Sequence, residues 1–444
     1  MPLLRRLVIP LIIIVVTFSS SNIQWTGNHW KNIVEADGKG YYAYLPAIFI
    51  YKDLNFSFFD SVEKKHPNSA IFYDYRANCN GKICNKYFAG TALAMSPFFL
   101  AAHFISTFFS AESDGYSKIY LVLINIAAIF YLWIGLFYFK RILLKYTDDH
   151  VAVNFIIVVT VFATNLFYYV VREPSMSHIY SFAFISAFIY YSIRYFEDPQ
   201  KKLVVALAFL IGFIILIRPV NGIIVLLLPF LAGDFKTLKA GCLFLIKRYY
   251  LGIFSFVLFV SIISIQFLIY KIQTGHFFVD TYIGESFNWT NPHPIDFLFS
   301  YKKGLFVYAP VLLLCAVGVF DLFMNNRFKF YAFVFFILLL IYVLSSWWNW
   351  WYGGSFGTRV MVEYYSIFAI LLLLAFKNAK LRIYKYFIST MFVAAMVVCQ
   401  IQTYQYRYYH IHWEKMDKEH YWRNFLRIDL IEKENNLNKD LLTE

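Results

Sequence analysis

Charged residues are scarce in this sequence. Asp, Glu, Lys and Arg together make up only 15% of the 444 residues, whereas soluble domains carry about 25%. This composition excludes a soluble enzyme and a disordered protein, because both expose many charges to water. Glycine is scarce as well, with 19 residues, which excludes a collagen-like chain in which about one residue in three is glycine.

Cysteine is equally sparse. Five cysteines are too few for a disulfide framework in a chain of this length. Cys242, Cys315 and Cys399 lie in or beside apolar runs, where a thiol packs as a small apolar group. Cys79 and Cys84 flank an Asn-Gly turn in a polar segment. A bond between these two would require an oxidising compartment, and the sequence leaves that alternative open.

Apolar residues are abundant. The sequence is 60% hydrophobic and 22% aromatic, and a helix needs about 20 apolar residues to cross a bilayer. We therefore predict an all-α, polytopic integral membrane protein with about 11 transmembrane helices. The predicted spans are residues 7–24, 119–139, 151–171, 178–195, 203–217, 221–232, 250–270, 305–324, 330–346, 360–376 and 383–402.

The first apolar run follows Arg5 and Arg6, so it is either a cleaved signal peptide or an uncleaved anchor. The run is long for a signal peptide and lacks a clear small-residue cleavage site, which favours an anchor. Because basic residues stay on the cytoplasmic side, the N-terminus is expected inside and the following loop outside.

The formal net charge of +13 reflects basic clusters between apolar runs, at 140–145, 201–202, 236–248, 327–329 and 377–385. Such clusters set orientation and meet lipid headgroups, so we expect a bilayer and no nucleic acid as partner. All of them fall inside only if the apolar stretch 88–109 is interfacial or half-inserted. The C-terminus is then outside.

This topology predicts the domain organisation. Residues 1–402 form a transmembrane module, in which 26–118 is a first periplasmic loop with interfacial helices, and residues 403–444 form a periplasmic tail. The predicted location is a bacterial inner membrane. The remaining outer connections are 172–177, 218–220, 271–304 and 347–359.

Three outer segments carry candidate functional side chains. Asp37 stands in the sequence EADGKGYYAYLP (residues 35–46), where glycines allow close approach of a ligand and a carboxylate could accept a proton. The alternative is a solvated turn followed by an interfacial helix. The second segment contains Arg172, Glu173 and His178, which could contact a ligand or simply pair and pack at the membrane boundary. The third is Arg218-Pro219, a cation at the mouth of two helices.

Two further outer segments carry cations before apolar runs. Lys303 belongs to a Lys-Lys-Gly sequence, and Arg359 ends the sequence WWNWWYGGSFGTR of residues 347–359. The tryptophans are typical of a membrane interface, and glycines before a helix with a nearby guanidinium are typical of an anion site. Several separated cations on one face suggest a phosphate or pyrophosphate headgroup, and the alternative for Lys303 is a plain surface lysine.

These features resemble the GT-C glycosyltransferases, multi-span enzymes that use polyprenyl-phosphate-linked sugars and include the protein O-mannosyltransferases and the lipid A aminoarabinose transferase. The resemblance covers most of the chain in architecture: an N-terminal anchor, an outer loop with an acid, then many spans. In residues it rests on Asp37 and on the short motifs KYFAG (86–90), KGLF (303–306) and WYGGSFGTR (351–359).

The resemblance implies a periplasmic active site with Asp37 as catalytic base and an inverting transfer from a polyprenyl-phosphate donor to a lipid, glycan or protein acceptor. It also implies that Lys303, Arg359 and Arg218 bind the leaving phosphate, with Glu173 and His178 as weaker candidates for sugar or acceptor contacts. No cofactor is required, although a carboxylate beside a phosphate could recruit a divalent metal.

The sequence differs from the pattern of the GT-C family in two respects. Asp37 follows Glu35 and does not belong to the paired-acid pattern of some members. A soluble C-terminal domain is not evident, which assigns acceptor recognition to loops and membrane helices. The alternatives are a transporter or flippase for lipid-linked glycans, a glycan polymerase or ligase, and a non-catalytic scaffold; the apolar middles of most spans disfavour transport.

The topology can be tested by labelling single cysteines placed at Ser113 and Lys145 in a background without the five native cysteines. A membrane-impermeant maleimide should label Ser113→Cys in intact cells and Lys145→Cys only after permeabilisation, because 88–109 is expected not to cross. Labelling of Lys145→Cys in intact cells would contradict the topology and the outer-face site with it.

Overall fold

The computed structural model describes residues 2–67, 72–79, 81–377 and 381–429. Its helices are, in chain order, α1 (Pro2–Gln24), α2 (Asp37–Pro46), α3 (Phe59–Lys65), α4 (Gly90–Phe108), α5 (Lys118–Leu143), α6 (His150–Phe162), α7 (Leu166–Val171), α8 (Ser177–Glu197), α9 (Lys201–Ile217), α10 (Leu228–Ala232), α11 (Phe235–Ile246), α12 (Tyr249–Thr274), α13 (Pro294–Phe299), α14 (Leu305–Tyr308), α15 (Cys315–Asn325), α16 (Arg327–Ser345), α17 (Tyr365–Lys377), α18 (Arg382–Arg407) and α19 (Lys418–Asn424).

Short helical segments of other types separate several of these helices. Four are 3₁₀ helices, and a π-helical turn follows α2; they cover His29–Ile33, Pro219–Leu227, Pro310–Leu314, Arg359–Tyr364 and Ala47–Tyr51. The prediction of an all-α protein needs one correction. Two strands, β1 (Arg76–Cys79) and β2 (Lys82–Asn85), form an antiparallel hairpin in the first long loop, because the Asn-Gly dipeptide favours a tight turn there.

Seven helices of the described residues are long and apolar enough to cross a membrane. They are Leu7–Gln24, Gly90–Phe108, Lys118–Leu143, Tyr249–Thr274, Arg327–Ser345, Arg359–Lys377 and Ile383–Arg407. The chain is therefore a mostly helical membrane protein, and the count of about 11 spans stays a prediction. So does the interfacial placement of 88–109, whose helix α4 is continuous despite Pro97.

Several predicted spans are broken in the structure. The run 151–171 is divided at Ala163–Asn165, where the Thr164 side chain donates to the carbonyl of Thr160 at 2.6 Å. The predicted interruption between the spans 203–217 and 221–232 lies at Arg218, whose backbone is extended, because a following proline disfavours the helical conformation. Pro310 accompanies a similar break after α14. Such breaks are tolerated in membrane helices only where other groups satisfy the freed backbone.

The chain divides into two compact units. The first comprises Met1–Ile142 and Tyr169–Glu285, and the second comprises Leu143–Tyr168 and Ser286–Glu444. This division is different from the predicted one, which separates a transmembrane module (1–402) from a periplasmic tail (403–444). The predicted division concerns membrane topology and stays a prediction. Of the predicted tail 403–444, the structure describes residues up to 429, including α19, and the rest lies outside the described residues.

The first unit contains the long first loop packed on its helices. In its core, aromatic side chains of α2 meet those of α4, α5 and the loop, with Tyr42 5.8 Å from Phe99 between ring centroids and Tyr44 5.9 Å from Phe56. Helices α8, α9 and α12 lie side by side. Helix α12 exposes large apolar side chains such as Phe256, as expected for a helix that faces lipid.

In the second unit, α17 is the central helix. In the segment Arg359–Lys377, which contains α17, 89% of the residues in an apolar stretch of 18 are buried. Helices α6 and α15 pack against α17. Helix α6 starts where the side chain of Asp149 accepts hydrogen bonds from the backbone N–H groups of Val151 and Ala152 at 2.9 and 3.1 Å. This is the usual N-cap arrangement.

A buried amide links three parts of the first unit. The Asn125 side chain of α5 accepts a hydrogen bond from the indole of Trp25 at 2.8 Å and donates to the carbonyl of Val170 at 3.1 Å. Asn125→Leu should destabilise the protein by about 1 kcal/mol, because interhelical hydrogen bonds in membranes contribute that order of free energy. The measurement is the midpoint of thermal unfolding in detergent.

The matched control is Asn22→Leu. Asn22 is exposed on α1, and its amide donates to the carbonyl of Phe18 in the same helix at 2.8 Å. This control should leave the unfolding midpoint nearly unchanged. An equal midpoint for both variants would show that the Asn125 contacts contribute nothing to stability.

Candidate functional site

Asp37 begins helix α2, and its carboxylate lies in the first turn, where the helix dipole favours a negative charge. The residue before it, Ala36, has a positive φ of 45°. A Cβ atom at Gly38 would lie 2.0 Å from the Oγ atom of Ser175. Glycine is therefore needed for α2 to contact the turn 172–177 so closely.

Asp37 accepts a hydrogen bond from Tyr87, a residue to which the sequence assigned no role. The Tyr87 hydroxyl donates to Oδ1 of Asp37 at 2.7 Å. The neighbouring Asn85 is fully buried; its amide donates to the Gly40 carbonyl at 2.8 Å, and its Oδ1 atom accepts from the Tyr87 backbone N–H at 3.0 Å. The Tyr87 carbonyl accepts the Tyr44 hydroxyl at 2.6 Å. Tyr87 is thus held at both its backbone and its hydroxyl.

The hairpin that carries Asn85 is closed by a disulfide between Cys79 and Cys84, so the alternative left open by the sequence is resolved in favour of a bond. Directly after the hairpin, the Lys86 ammonium pairs with Glu285 at 2.5 Å. The Lys86 carbonyl also accepts the Thr281 hydroxyl at 2.9 Å. These contacts fix the segment that precedes Tyr87.

Tyrosines surround the Asp37 carboxylate. The Tyr87 ring lies 4.7 Å from the Tyr41 ring and 6.3 Å from the Tyr282 ring. Burial raises the pKa of Tyr87 well above its usual value, and the nearby charge of Asp37 adds to this effect. The phenol is therefore neutral at physiological pH and available as a hydrogen-bond donor.

A series of contacts leads from the acid to a cation. Tyr41 of α2, whose ring lies 4.7 Å from that of Tyr87, accepts a hydrogen bond from the Ser177 hydroxyl at 3.4 Å, and Ser177 directly precedes His178, the partner of Arg218. Burial raises the pKa of Tyr282 well above its usual value; Tyr41 and the charge of Asp37 raise it further, whereas Arg218 lowers it. The structure thus brings together two of the predicted site residues.

Arg218 also contacts a third predicted residue. Its Nη1 atom lies 3.3 Å from Nδ1 of His178, which accepts because a guanidinium can only donate. His178 is buried, with the Tyr169 ring packed edge-on at 5.2 Å. The extended backbone before Pro219 places Arg218 at the end of α9.

Arg172 is engaged with the first helix. Its Nη1 atom donates to the buried Gln24 side chain at 3.0 Å, and the Gln24 amide donates back to the Arg172 carbonyl at 3.0 Å. Glu173 is half-buried in the same turn. The Tyr180 hydroxyl donates a hydrogen bond to the carbonyl of Pro174 in this turn, at 3.1 Å. These contacts make Arg172 a link between α1 and the turn.

Lys303 and Arg359 belong to the second unit. The Lys303 side chain is only 2% exposed, and its ammonium donates to the carbonyl of Ser355. The Thr358 hydroxyl donates to the Lys303 carbonyl. Arg359 is the first residue of a 3₁₀ helix and thus lies in its first turn. Their predicted role as phosphate ligands stays a prediction.

The same segment contains a G-x-S-x-G spacing at 353–357, the pattern of a hydrolase nucleophile elbow. Here Ser355 is fully buried and its hydroxyl donates to the carbonyl of Gly357 at 3.2 Å. No strand precedes it among the described residues of this unit. The Ser355 hydroxyl is thus bonded within its own segment.

One cluster of the described residues could hold a metal ion. It comprises His66, Glu112 and Asp114, but the Lys65 ammonium pairs with both carboxylates, at 2.9 Å from Asp114. The cluster does not include Asp37. Asp114 keeps a lowered pKa although burial opposes it, because backbone and side-chain groups, including Lys65 and His66, bond the carboxylate.

An open cavity of about 440 Å³ includes Tyr282 in its lining. Phe88, the residue that follows Tyr87, also lines it. The remaining lining residues come from α12 and the segment after it: Phe267, Tyr270, Phe278, Val279, Asp280 and Thr281.

No family model and no curated protein matches the sequence. Among solved structures, the chain is similar to the oligosaccharyltransferase of Archaeoglobus fulgidus in its apo form, with a TM-score of 0.47 and 12% sequence identity. The similarity covers 97% of this chain and 61% of the archaeal one. The chain thus spans about three fifths of the length of that structure.

The role of Asn85 in holding the site can be tested. Asn85→Ala should lower the free energy of unfolding by about 1–3 kcal/mol, because the Gly40 carbonyl and the Tyr87 N–H would be left buried without their partner. Asn55→Ala, at an exposed position of the same loop, should have little effect on thermal unfolding. Similar midpoints for the two variants would contradict the assigned role.

Proposed function

We propose that this protein is a membrane-embedded glycosyltransferase that moves a sugar from a polyprenyl-phosphate donor to an acceptor hydroxyl at the outer face of a bacterial inner membrane. The observation that carries the proposal is the series of contacts from Asp37 through Tyr87, Tyr41 and Ser177 to His178 and Arg218. An acid and a cation linked in this way suit a reaction that removes a proton and releases a phosphate.

Asp37 acts as the general base. As the acceptor oxygen attacks the anomeric carbon, the hydroxyl proton passes to the Asp37 carboxylate. The bond between that carbon and the donor phosphate oxygen breaks, and polyprenyl phosphate leaves with the electron pair. Attack from the side opposite the leaving group inverts the configuration at the anomeric carbon. The half-buried position of Asp37 leaves the carboxylate accessible to an acceptor.

Arg218 binds the phosphate that leaves. A guanidinium presents several N–H donors to a phosphate and keeps its charge throughout the reaction. The contact of Arg218 with buried His178 at 3.3 Å orients the guanidinium before the substrate binds. His178 then supports the cation and does not itself need to contact the sugar.

The cavity lined by Tyr282 is the proposed binding place for the lipid chain of the donor. Its walls are largely aromatic, with Phe88, Phe267 and Phe278 among them, and the exposed side chain of Phe278 extends the apolar surface. A polyprenyl chain whose phosphate lies at Arg218 could pass along this cavity to the bilayer. Burial of the chain would contribute about 25 cal/mol per Å² of apolar surface.

The other predicted residues keep assigned roles within this proposal. For Lys303 and Arg359, which belong to the second unit, the role of phosphate ligand stays a prediction. Glu173 is proposed to contact the sugar or the acceptor. Arg172 supports the turn that carries Glu173, through its paired hydrogen bonds with Gln24. The reaction as written requires no metal.

The test is glycan and lipid-linked-sugar profiling of cells that carry wild-type protein or Asp37→Asn at matched protein levels. The variant should lose one glycan product by at least about 100-fold, the range of general base catalysis, and its polyprenyl-phosphate sugar should accumulate. An amide of the same shape cannot take the proton.

The matched control is Asp60→Asn, which changes a carboxylate with 80% exposed side chain in the same loop. This variant should retain the wild-type profile. Unchanged product formation in Asp37→Asn would contradict the role of Asp37 as the base and favour a transporter or a scaffold.

A further inference from the structure

We propose that Tyr87 is the positioning residue for Asp37, in that its phenol holds the carboxylate through Oδ1 and sets the pH at which Asp37 can accept a proton. This inference rests on the proposed function. It concerns a residue of the KYFAG motif (86–90) to which the sequence assigned no role, and its evidence is the geometry around the Tyr87 side chain.

Tyr87 is a rigid donor. Its hydroxyl lies 2.7 Å from Oδ1 of Asp37, and its backbone N–H and carbonyl are bonded to Asn85 and Tyr44. A Cβ atom at Gly40 would lie 2.2 Å from the Tyr87 ring, so α2 packs directly against this ring. A side chain fixed at both ends pays little entropy to keep its hydrogen bond.

The direction of the hydrogen bonds follows from proton counting. The Tyr87 hydroxyl contacts both Asp37 and the hydroxyl of Tyr73. A carboxylate can only accept, and a phenol has a single proton to donate. Tyr87 therefore gives its proton to Asp37, and in the other contact Tyr73 donates to Tyr87. A donor that itself accepts a hydrogen bond is polarised and becomes a stronger donor.

A hydrogen bond to the charged form of a carboxyl group stabilises that form. Tyr87 should thus keep Asp37 ionised to lower pH and hold one oxygen in place. A carboxylate has about four lone-pair sites, so it retains acceptor capacity for an incoming hydroxyl. The other titratable groups that interact with Tyr87 or Tyr282 beside Asp37 are Tyr41, Tyr73 and Arg218. Glu35 lies two residues before Asp37, and Glu173 and His178 flank Ser175, against which Gly38 packs.

The experiment measures the protonation of Asp37 directly. Purified full-length protein in detergent is treated with a water-soluble carbodiimide and glycine methyl ester from pH 3 to 8, and modification of the Asp37 peptide is followed by mass spectrometry. Only the protonated carboxyl group reacts. Tyr87→Phe should raise the labelling midpoint by about one pH unit, which is about tenfold in labelling rate above the midpoint.

A second variant guards against a folding defect. Replacing Tyr87 by 3-fluorotyrosine keeps the shape of the side chain and makes the phenol a stronger donor, so the midpoint should move in the opposite direction, to lower pH. Tyr131→Phe removes another hydroxyl, one that donates to the Ala94 carbonyl at 3.0 Å, and should leave the Asp37 midpoint unchanged. A merely structural role of Tyr87 would not produce shifts of opposite sign.

An unmoved midpoint in both Tyr87 variants would overturn the inference. That result would leave the proposed function intact, since the glycan profile of Asp37→Asn decides it separately. Shifts of opposite sign, together with loss of product in Asp37→Asn, would support the inference and the function on which it rests.

Discussion

The close approach of helix α2 to its neighbours at residues 38 and 40 is the constraint on which the candidate site depends. Added Cβ atoms there would lie 2.0 Å from Ser175 and 2.2 Å from the Tyr87 ring. Without side chains at these positions, the first turn of α2 can lie between the 172–177 turn and the segment after the hairpin. Asp37 is thereby brought within 2.7 Å of the Tyr87 hydroxyl.

The sequence alone identified Asp37, because an acid beside two glycines directly after the first apolar run is a recognisable pattern. It included Tyr87 only as part of the KYFAG motif, without a role, and it could not identify Tyr282. The chain has 36 tyrosines, and no local pattern shows which of them fold back onto the acid. Arg218 was predicted from its position beside a proline, but its contact with His178 depends on how two helix ends meet.

Hydropathy predicted where long apolar helices lie, and 119–139 and 250–270 indeed fall within α5 and α12. It did not predict the break within 151–171, since the Thr164 hydrogen bond that accompanies the break is invisible to an average over residues. Lys303 illustrates a similar difficulty. The sequence placed it before an apolar helix but could not show that its ammonium donates to the Ser355 carbonyl in a buried position, because that contact requires the folded glycine-rich segment. Its role as a phosphate ligand stays a prediction.

The central claim is that Asp37 and Arg218 form one site for a lipid-linked sugar phosphate. The most direct test is a cryo-electron microscopy structure of the full chain in a lipid nanodisc with added undecaprenyl phosphate. We expect phosphate density at the Arg218 guanidinium, on the side of Tyr282 that faces Asp37, and chain density along the cavity lined by Phe88 and Phe267. Phosphate density away from Arg218, with that cavity empty, would contradict the claim.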